Sequence, residues 1–493
     1  MLQRGGNAVD AALATAIALT VVEPCSNGLG SDLFAIVAVG DELTGLNASG
    51  RAPAAWSPSR FAGKTAMPQR GWDTVTIPGA VSGWVALAQR YGKLPFADLF
   101  EPAIRYARDG YAVSPVVAQK WAAAVPLMPR GLGWHEHFLP YGRPPHIGER
   151  FASAAMASTL AKIAETRGEA FYRGELAQAM VAHAKGHGSI HALSDFATHS
   201  VDWVTPLAQD YRDCKVHAIP PNGQGIAALM TLGILQEFDV VSHRADSVSA
   251  QHLQIEAMKL AFADAYRYVG DPCTMAVSPS ALLDREYLRS RARCIDLTHA
   301  QNFGPGDPPR GGTVYLCTAD QHGMMVSLIQ SNYMGFGSGV VVPGTGISLQ
   351  NRGAGFVLEP GHPNEVGGGK RPYHTIIPGF VTRDGSPFAA FGVMGGPMQP
   401  PGHVQTLVRL IDYRMNPQAA LDAPRWKVNA GRSIDLEAAA SDQLRSGLLA
   451  LGHEMESVPD SYMDFGAGQM IVKTDAGYIA ASDPRRDGQA AGF

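Results

Sequence analysis

The stretch from 301 to 312, QNFGPGDPPRGG, constrains the fold of this chain more than any other. Five of the six residues from Gly304 to Pro309 are glycine or proline, and Arg310-Gly311-Gly312 follow. Proline removes a backbone donor and fixes φ, and glycine brings no side chain to pack. Such a run cannot continue a helix or a central strand, so it reads as a linker or an exposed loop. It also marks a change of period. Before it, apolar residues recur at helical spacing over 79–92, 95–110, 151–186 and 248–269. After it come three pairs of short strand-like runs. They are 313–320 with 324–333, 376–383 with 387–394 about Asp384-Gly385, and 469–474 with 478–482 about Asp475-Ala476-Gly477. Each pair reads as a β-hairpin. Helices come first and strands follow, which favours layered α+β packing over alternating βαβ units.

Composition narrows the function. The 493 residues give room for two to four domains or one large layered unit. At 46% hydrophobic the chain can build a large core, which excludes global disorder. Forty basic against 44 acidic residues leave a net charge of −4, so there is no basic field for nucleic acid or an anionic membrane. Five cysteines (Cys25, Cys214, Cys273, Cys294 and Cys317) without a CxxC spacing argue against a disulfide framework and a zinc knuckle. No apolar run reaches the ~18 residues of a membrane span. The longest, 11–22, follows Arg4 and imitates a signal peptide. Asp10 abuts it, Glu23-Pro24 ends it, and Gly5-Gly6-Asn7 supplies a turn and an N-cap, so it reads as a buried helix. The chain starts abruptly there. A cytoplasmic location is favoured, and a periplasmic one stays open because preceding sequence can be missing.

The chemistry concentrates at Gly312-Thr313. A loop delivers a threonine to the start of a buried strand. If the peptide bond before Thr313 is cut, its hydroxyl and a new α-amine share one residue. That amine's ordinary pKa of about 7.7–8.0 poises it as a base near neutral pH. A hydroxyl nucleophile needs such a base, and an N-terminal threonine carries its own. The hydroxyl can also make the cut, by attacking the carbonyl of Gly312.

The surroundings strengthen this reading. Gly5-Gly6-Asn7-Ala8-Val9-Asp10-Ala11-Ala12, Val22-Glu23-Pro24, Asp210-Tyr211-Arg212, Phe336-Gly337-Ser338-Gly339, Pro343-Gly344-Thr345-Gly346-Ile347, Lys370-Arg371-Pro372, Gly395-Gly396 and Asp483-Pro484-Arg485-Arg486-Asp487-Gly488 appear in order along nearly the whole chain. In these motifs the sequence resembles the γ-glutamyltranspeptidase family. The resemblance implies the four-layer αββα sandwich of N-terminal-nucleophile hydrolases. It implies one precursor cut between Gly312 and Thr313 into a large subunit, 1–312, and a small subunit, 313–493, which form one structural unit. It puts the nucleophile on Thr313, a supporting hydroxyl on Ser331, and the oxyanion-stabilising amides on Gly395 and Gly396. It implies no cofactor and no metal. The expected partners are a small-molecule amide substrate and the other processed subunit, and the unit can pair further as a homodimer of heterodimers.

The departures from the family fall on substrate recognition. The family grips a γ-glutamyl α-amine with an Asp, and that position is Gly355 in the run Gln350-Asn351-Arg352-Gly353-Ala354-Gly355-Phe356. Losing a charge-assisted contact of about 1.5–3 kcal/mol weakens γ-glutamyl binding by roughly ten-fold or more. The family's carboxylate-gripping Arg falls on Ser49, with Arg51 two residues on. Its serine pair becomes His374-Thr375, and the Asn beyond the nucleophile hairpin becomes Tyr333. Arg51, Arg352, Tyr333, His374 and Thr375 are therefore the candidate substrate-binding residues. The principal reading is hydrolysis or transfer of a γ-glutamyl or related amide. The alternative is an amidohydrolase or acylase on an acyl group with an acid or oxo group and no free α-amine, as in glutaryl and cephalosporin acylases or oxamate amidohydrolase. A second alternative is an unprocessed binding protein. Trp134-His135-Glu136-His137 lacks the i, i+4 spacing of a helical metal site. Ser26-Asn27-Gly28-Leu29-Gly30-Ser31 follows a helix, unlike a dinucleotide loop. Cys317 reads as a packed residue.

Overall fold

The computed structural model describes residues 1–303, 312–458 and 464–493. Residues 304–311, most of the expected linker, lie outside them. The strands that frame the site are β1 (Asp32–Val39), β2 (Glu42–Ala48), β3 (Asp202–Val204), β4 (Leu207–Tyr211), β5 (Cys214–Ala218), β6 (Gly312–Ala319), β7 (Met325–Tyr333), β8 (Gly379–Arg383), β9 (Ser386–Met394), β10 (Ala467–Thr474) and β11 (Gly477–Ser482). They form two sheets. One runs β3-β2-β1-β7-β6 and the other β11-β10-β9-β8-β5-β4. Every pairing within both sheets is antiparallel.

Side-chain alternation along β1 shows how the layers are made. Phe34, Ile36 and Ala38 join a cluster with Tyr315 and Ile329 of the same sheet and Phe380, Ala390 and Met394 of the other. Leu33, Ala35 and Val37 point the opposite way, into a core with Leu13 and Ile17 of helix α1 (Ala8–Val22) and Trp84 of helix α2 (Ala80–Tyr91). A period of two sends successive residues to opposite faces, so both faces of β1 are buried. The second sheet buries Val381, Ala389 and Phe391 against helices α3 (Gly225–Leu235) and α4 (Val248–Tyr268). Each large apolar side chain buried this way contributes about 1.5–3 kcal/mol. The molecule is thus a mixed helix-and-sheet fold.

The three hairpins form as the turn chemistry predicts. Asp384 and Gly385 turn β8 into β9 with φ of 52° and 81°, the left-handed pair that Asp-Gly favours. Helix α1 starts at Asn7, whose side chain accepts from the Asp10 amide at 3.0 Å while Asp10 accepts from the Asn7 amide at 2.9 Å. Asp320, at the β6–β7 turn, accepts from the Ala8 amide at 2.9 Å. The long run 151–186 is broken into Ala154–Thr166, Glu169–Tyr172 and Glu175–Gly186. Arg167 and Gly168, at φ of 50° and 81°, end the first piece. The helices-then-strands order is incomplete: β1–β5 all lie ahead of residue 312 and supply strands to both sheets.

Candidate active site

Thr313 is the second residue of β6 and is fully buried. The β6–β7 register pairs Gly312 with Tyr333 and Val314 with Gln330, so Thr313 alone faces both Ser331 and Asn332. Such a bulge re-aims side chains. The Thr313 and Ser331 hydroxyls are 3.0 Å apart. Ser331 Oγ also lies 2.8 Å from the Gly312 carbonyl oxygen and accepts from the Tyr333 amide at 2.8 Å. Tyr333 sits at φ 76°, which turns its amide back onto Ser331.

Arg352 comes from a short 3₁₀ turn, Arg352–Gly355, and is completely buried. Its Nη2 donates to Ser331 Oγ at 3.2 Å and its Nη1 to Thr375 Oγ1 at 2.8 Å. Its guanidinium stacks 4.3 Å over the Tyr333 ring, and Nε has no partner among the described residues. Burial lowers its pKa to about 10, so it stays charged at neutral pH. Burial also pushes the Tyr333 phenol up to about 12.

His374 lies beside this cation. Its Nε2 is 3.0 Å from Asp32 Oδ2, and its ring centre is 4.8 Å from that of Phe34. Asp32 Oδ1 accepts from the amides of Gly50 at 3.2 Å and Gly79 at 3.1 Å. Asp32 is the β1 partner of Ser331. Burial pushes its carboxyl up to about 7, against the pull of Arg352 and the two amides. Burial and then Arg352 hold His374 well below its ordinary value. A raised Asp32 means that the folded chain keeps a proton which the unfolded chain releases above its ordinary 3.8. Stability from this group is therefore full below about pH 4 and is lost as pH rises toward 7. Asp32→Asn is expected to flatten that part of the stability profile; thermal midpoints of both proteins from pH 4 to 8 check it, and parallel profiles would refute it.

Gly395 and Gly396 end β9 at φ of 135° and 61°, conformations that L side chains rarely adopt. Gln224 Nε2 donates to the carbonyls of Gly396 at 2.8 Å and Thr375 at 2.6 Å, which ties the glycine pair to the segment ahead of β8 that carries His374 and Thr375. Met394, next to the pair, lines the same cleft as Thr313, a space of about 320 Å³ bounded also by Glu23 and Arg486. Neither Asp32 nor Gln224 carries a sequence motif that marks it.

Arg51 is placed differently. Its guanidinium is 3.3 Å from Asp271 and 3.9 Å from Asp202 and is partly exposed. No described hydrogen bond joins it to Thr313, Ser331 or Arg352. Ser49 is buried and bonds Asn47 Oδ1 at 2.7 Å. At Gly355 an added Cβ would lie 2.8 Å from the Tyr373 carbonyl oxygen, so backbone fills the space that a side chain there would need. Cys317 is partly buried against the inter-sheet cluster, and burial raises its thiol to about 12, consistent with packing.

One group outside this site brings metal-ligating atoms together among the described residues: His252, Glu256 and His453, within 4.8 Å of one another. Lys259 Nζ already sits 2.5 Å from Glu256 Oε1, so the cluster holds its own cation. A larger cavity, about 820 Å³, lies between Pro115–Ala122, Arg143–Ile147 and Pro484–Asp487; it shares Arg486 with the Thr313 cleft and is not lined by Thr313, Ser331, Arg352 or His374.

The family model described as Gamma-glutamyltranspeptidase matches residues 1–493. The glutathione hydrolase-like YwrD proenzyme of Bacillus subtilis is 35% identical, over 100% of this chain and 95% of its own. The oxamate amidohydrolase proenzyme of Klebsiella pneumoniae subsp. pneumoniae is 34% identical, with the same coverage. The crystal structure of cephalosporin acylase from Bacillus halodurans superposes with a TM-score of 0.95 at 47% identity, covering 100% of this chain and 92% of that one. The chain belongs to the gamma-glutamyltranspeptidase family and is an enzyme of its amide-hydrolase kind.

Proposed function

We propose that this protein is an N-terminal-threonine amidohydrolase or acylase. It cuts itself between Gly312 and Thr313 and acts on an amide whose acyl group carries a carboxylate or oxo group and no free α-amine. The observation that carries the substrate class is Arg352, a buried guanidinium in hydrogen-bond contact with Ser331 and with an unpartnered Nε. A buried cation costs several kcal/mol unless an anion meets it, and a planar fork suits a carboxylate. Gly355 offers no counter-charge to an ammonium group. The names of the oxamate amidohydrolase and the cephalosporin acylase support this reading over the γ-glutamyl one.

In the proposed mechanism Thr313 Oγ1 attacks the amide carbonyl and its proton passes to its own α-amine. The Gly395 and Gly396 amides face the oxyanion, and Ser331 holds the nucleophile. The amine then protonates the leaving nitrogen, and water releases the acid. The two facing sheets with helices on their outer faces are proposed to be the αββα sandwich of N-terminal-nucleophile hydrolases. Arg51, tied to Asp271 and Asp202, is given no part in it.

Steady-state kinetics on glutathione, a glutaryl amide and oxamate tests the substrate class. The expected result is kcat/KM at least ten-fold higher on one of the last two. Equal or better turnover of glutathione would restore the γ-glutamyl reading.

A further inference from the structure

The hydroxyl of Ser331 is surrounded by four polar atoms, and counting their hydrogens narrows its orientation. Its oxygen has two lone pairs and one proton. The Tyr333 amide at 2.8 Å and Arg352 Nη2 at 3.2 Å can only donate, so together they occupy both lone pairs. Its proton can go to the Gly312 carbonyl oxygen at 2.8 Å or to the Thr313 hydroxyl at 3.0 Å, and the shorter contact to the carbonyl takes it. The Thr313 hydroxyl, 3.0 Å away, then has no free lone pair on Ser331 to donate to. Without the Arg352 donor, one lone pair would open, and the Thr313 hydroxyl could donate into it.

We propose that Arg352 is a positioning residue for self-cleavage: by filling a Ser331 lone pair it keeps the Thr313 hydroxyl from donating there and strengthens Ser331 as the donor to the Gly312 carbonyl. This rests on the self-cleavage reading above and adds to it a role for Arg352 before any substrate is present. Thr313 Oγ1 attacks the Gly312 carbonyl carbon, and the negative charge on its oxygen develops against the Ser331 proton. The C–N bond breaks, the Thr313 hydroxyl proton ends on the freed nitrogen, and an ester joins Gly312 to Thr313. Water hydrolyses the ester to the Gly312 carboxylate and the Thr313 hydroxyl. A charged donor behind Ser331 strengthens it as a donor, because hydrogen bonds in a chain polarise one another. The same guanidinium is left in place to meet a substrate carboxylate after the cut.

The test is a double-mutant cycle on the rate of self-cleavage, followed by gel on freshly made full-length chain. Ser331→Ala is expected to slow cleavage about a hundred-fold, as loss of an oxyanion donor does. Arg352→Met is expected to slow it about ten-fold, and Arg352→Lys to recover part of that. The double variant Ser331→Ala/Arg352→Met is expected to be no slower than Ser331→Ala alone, because coupled residues are not additive. A purely structural Arg352 would slow both backgrounds by the same factor, and that result, or cleavage of Arg352→Met at the wild-type rate, overturns the assignment. Should Arg352→Met fail to fold, Arg352→Lys replaces it in the same cycle. A wild-type chain that stays whole removes the self-cleavage reading itself, and this assignment with it.

Discussion

Thr313→Ala is expected to remain a single 493-residue chain, while the wild type separates into 1–312 and 313–493. The substitution removes the hydroxyl 3.0 Å from Ser331 and leaves the strand and its register unchanged. Alanine adds no bulk at this buried position, so folding is expected to survive. Chemistry is a different matter. Without the hydroxyl nothing can attack the Gly312 carbonyl, so no α-amine is released and the base is lost along with the nucleophile. Amide hydrolysis is expected to fall by at least about 10⁴-fold, in line with removal of a nucleophile elsewhere. Thr313→Ser keeps a hydroxyl and is expected to cleave itself, more slowly. Intact mass on fresh preparations reads the first effect and initial rates the second. Two fragments from Thr313→Ala would move the nucleophile to another residue.

Gly395→Ala is expected to lower kcat by about 10²–10³-fold with little change in KM. Gly395 stands at φ 135°, where an L side chain is strained, and an added Cβ would lie 3.0 Å from the Cα of Gly466. That nearest neighbour is backbone and cannot swing aside, so the peptide plane has to rotate and its amide turns away. An amide that meets charge only in the transition state affects kcat and leaves substrate binding alone. The equivalent change at Gly392 makes a useful contrast. There the added Cβ would strike the Tyr315 ring at 2.4 Å, between the sheets, so the expected loss is of stability. An unchanged kcat for Gly395→Ala would exclude the glycine pair from the oxyanion site.

Features set by neighbouring residues were legible in the sequence. The α1 cap at Asn7 and Asp10, the Asp384-Gly385 turn and the three hairpins all follow from side chains a few residues apart. Strands β1 and β2 escaped because β1 is buried on both faces, which erases polar–apolar alternation. One local signal was available: Gly40-Asp41, a two-residue turn with Gly40 at φ 58°, joins them. At the site, the contact between Thr313 and Ser331 could be foreseen because one hairpin carries both. The Asp32–His374 pair could not, since β1 lies far upstream and only sheet pairing brings it beside Ser331. Arg51 stands close to Ser49 in sequence. Two residues along the chain were enough to aim it at Asp271 and Asp202 instead.

The mixed parentage of the two sheets has a practical consequence. In the first, β1 and β2 lie ahead of the Gly312–Thr313 bond and β6 begins at it; in the second, β4 and β5 lie ahead of it and β8–β11 behind. A cut there leaves two polypeptides that meet at one ladder in each sheet, β1 with β7 and β5 with β8, so neither can leave without tearing both. A purification tag on either terminus should then capture both pieces in equal amounts. One reading frame fixes their one-to-one stoichiometry without any separate assembly step.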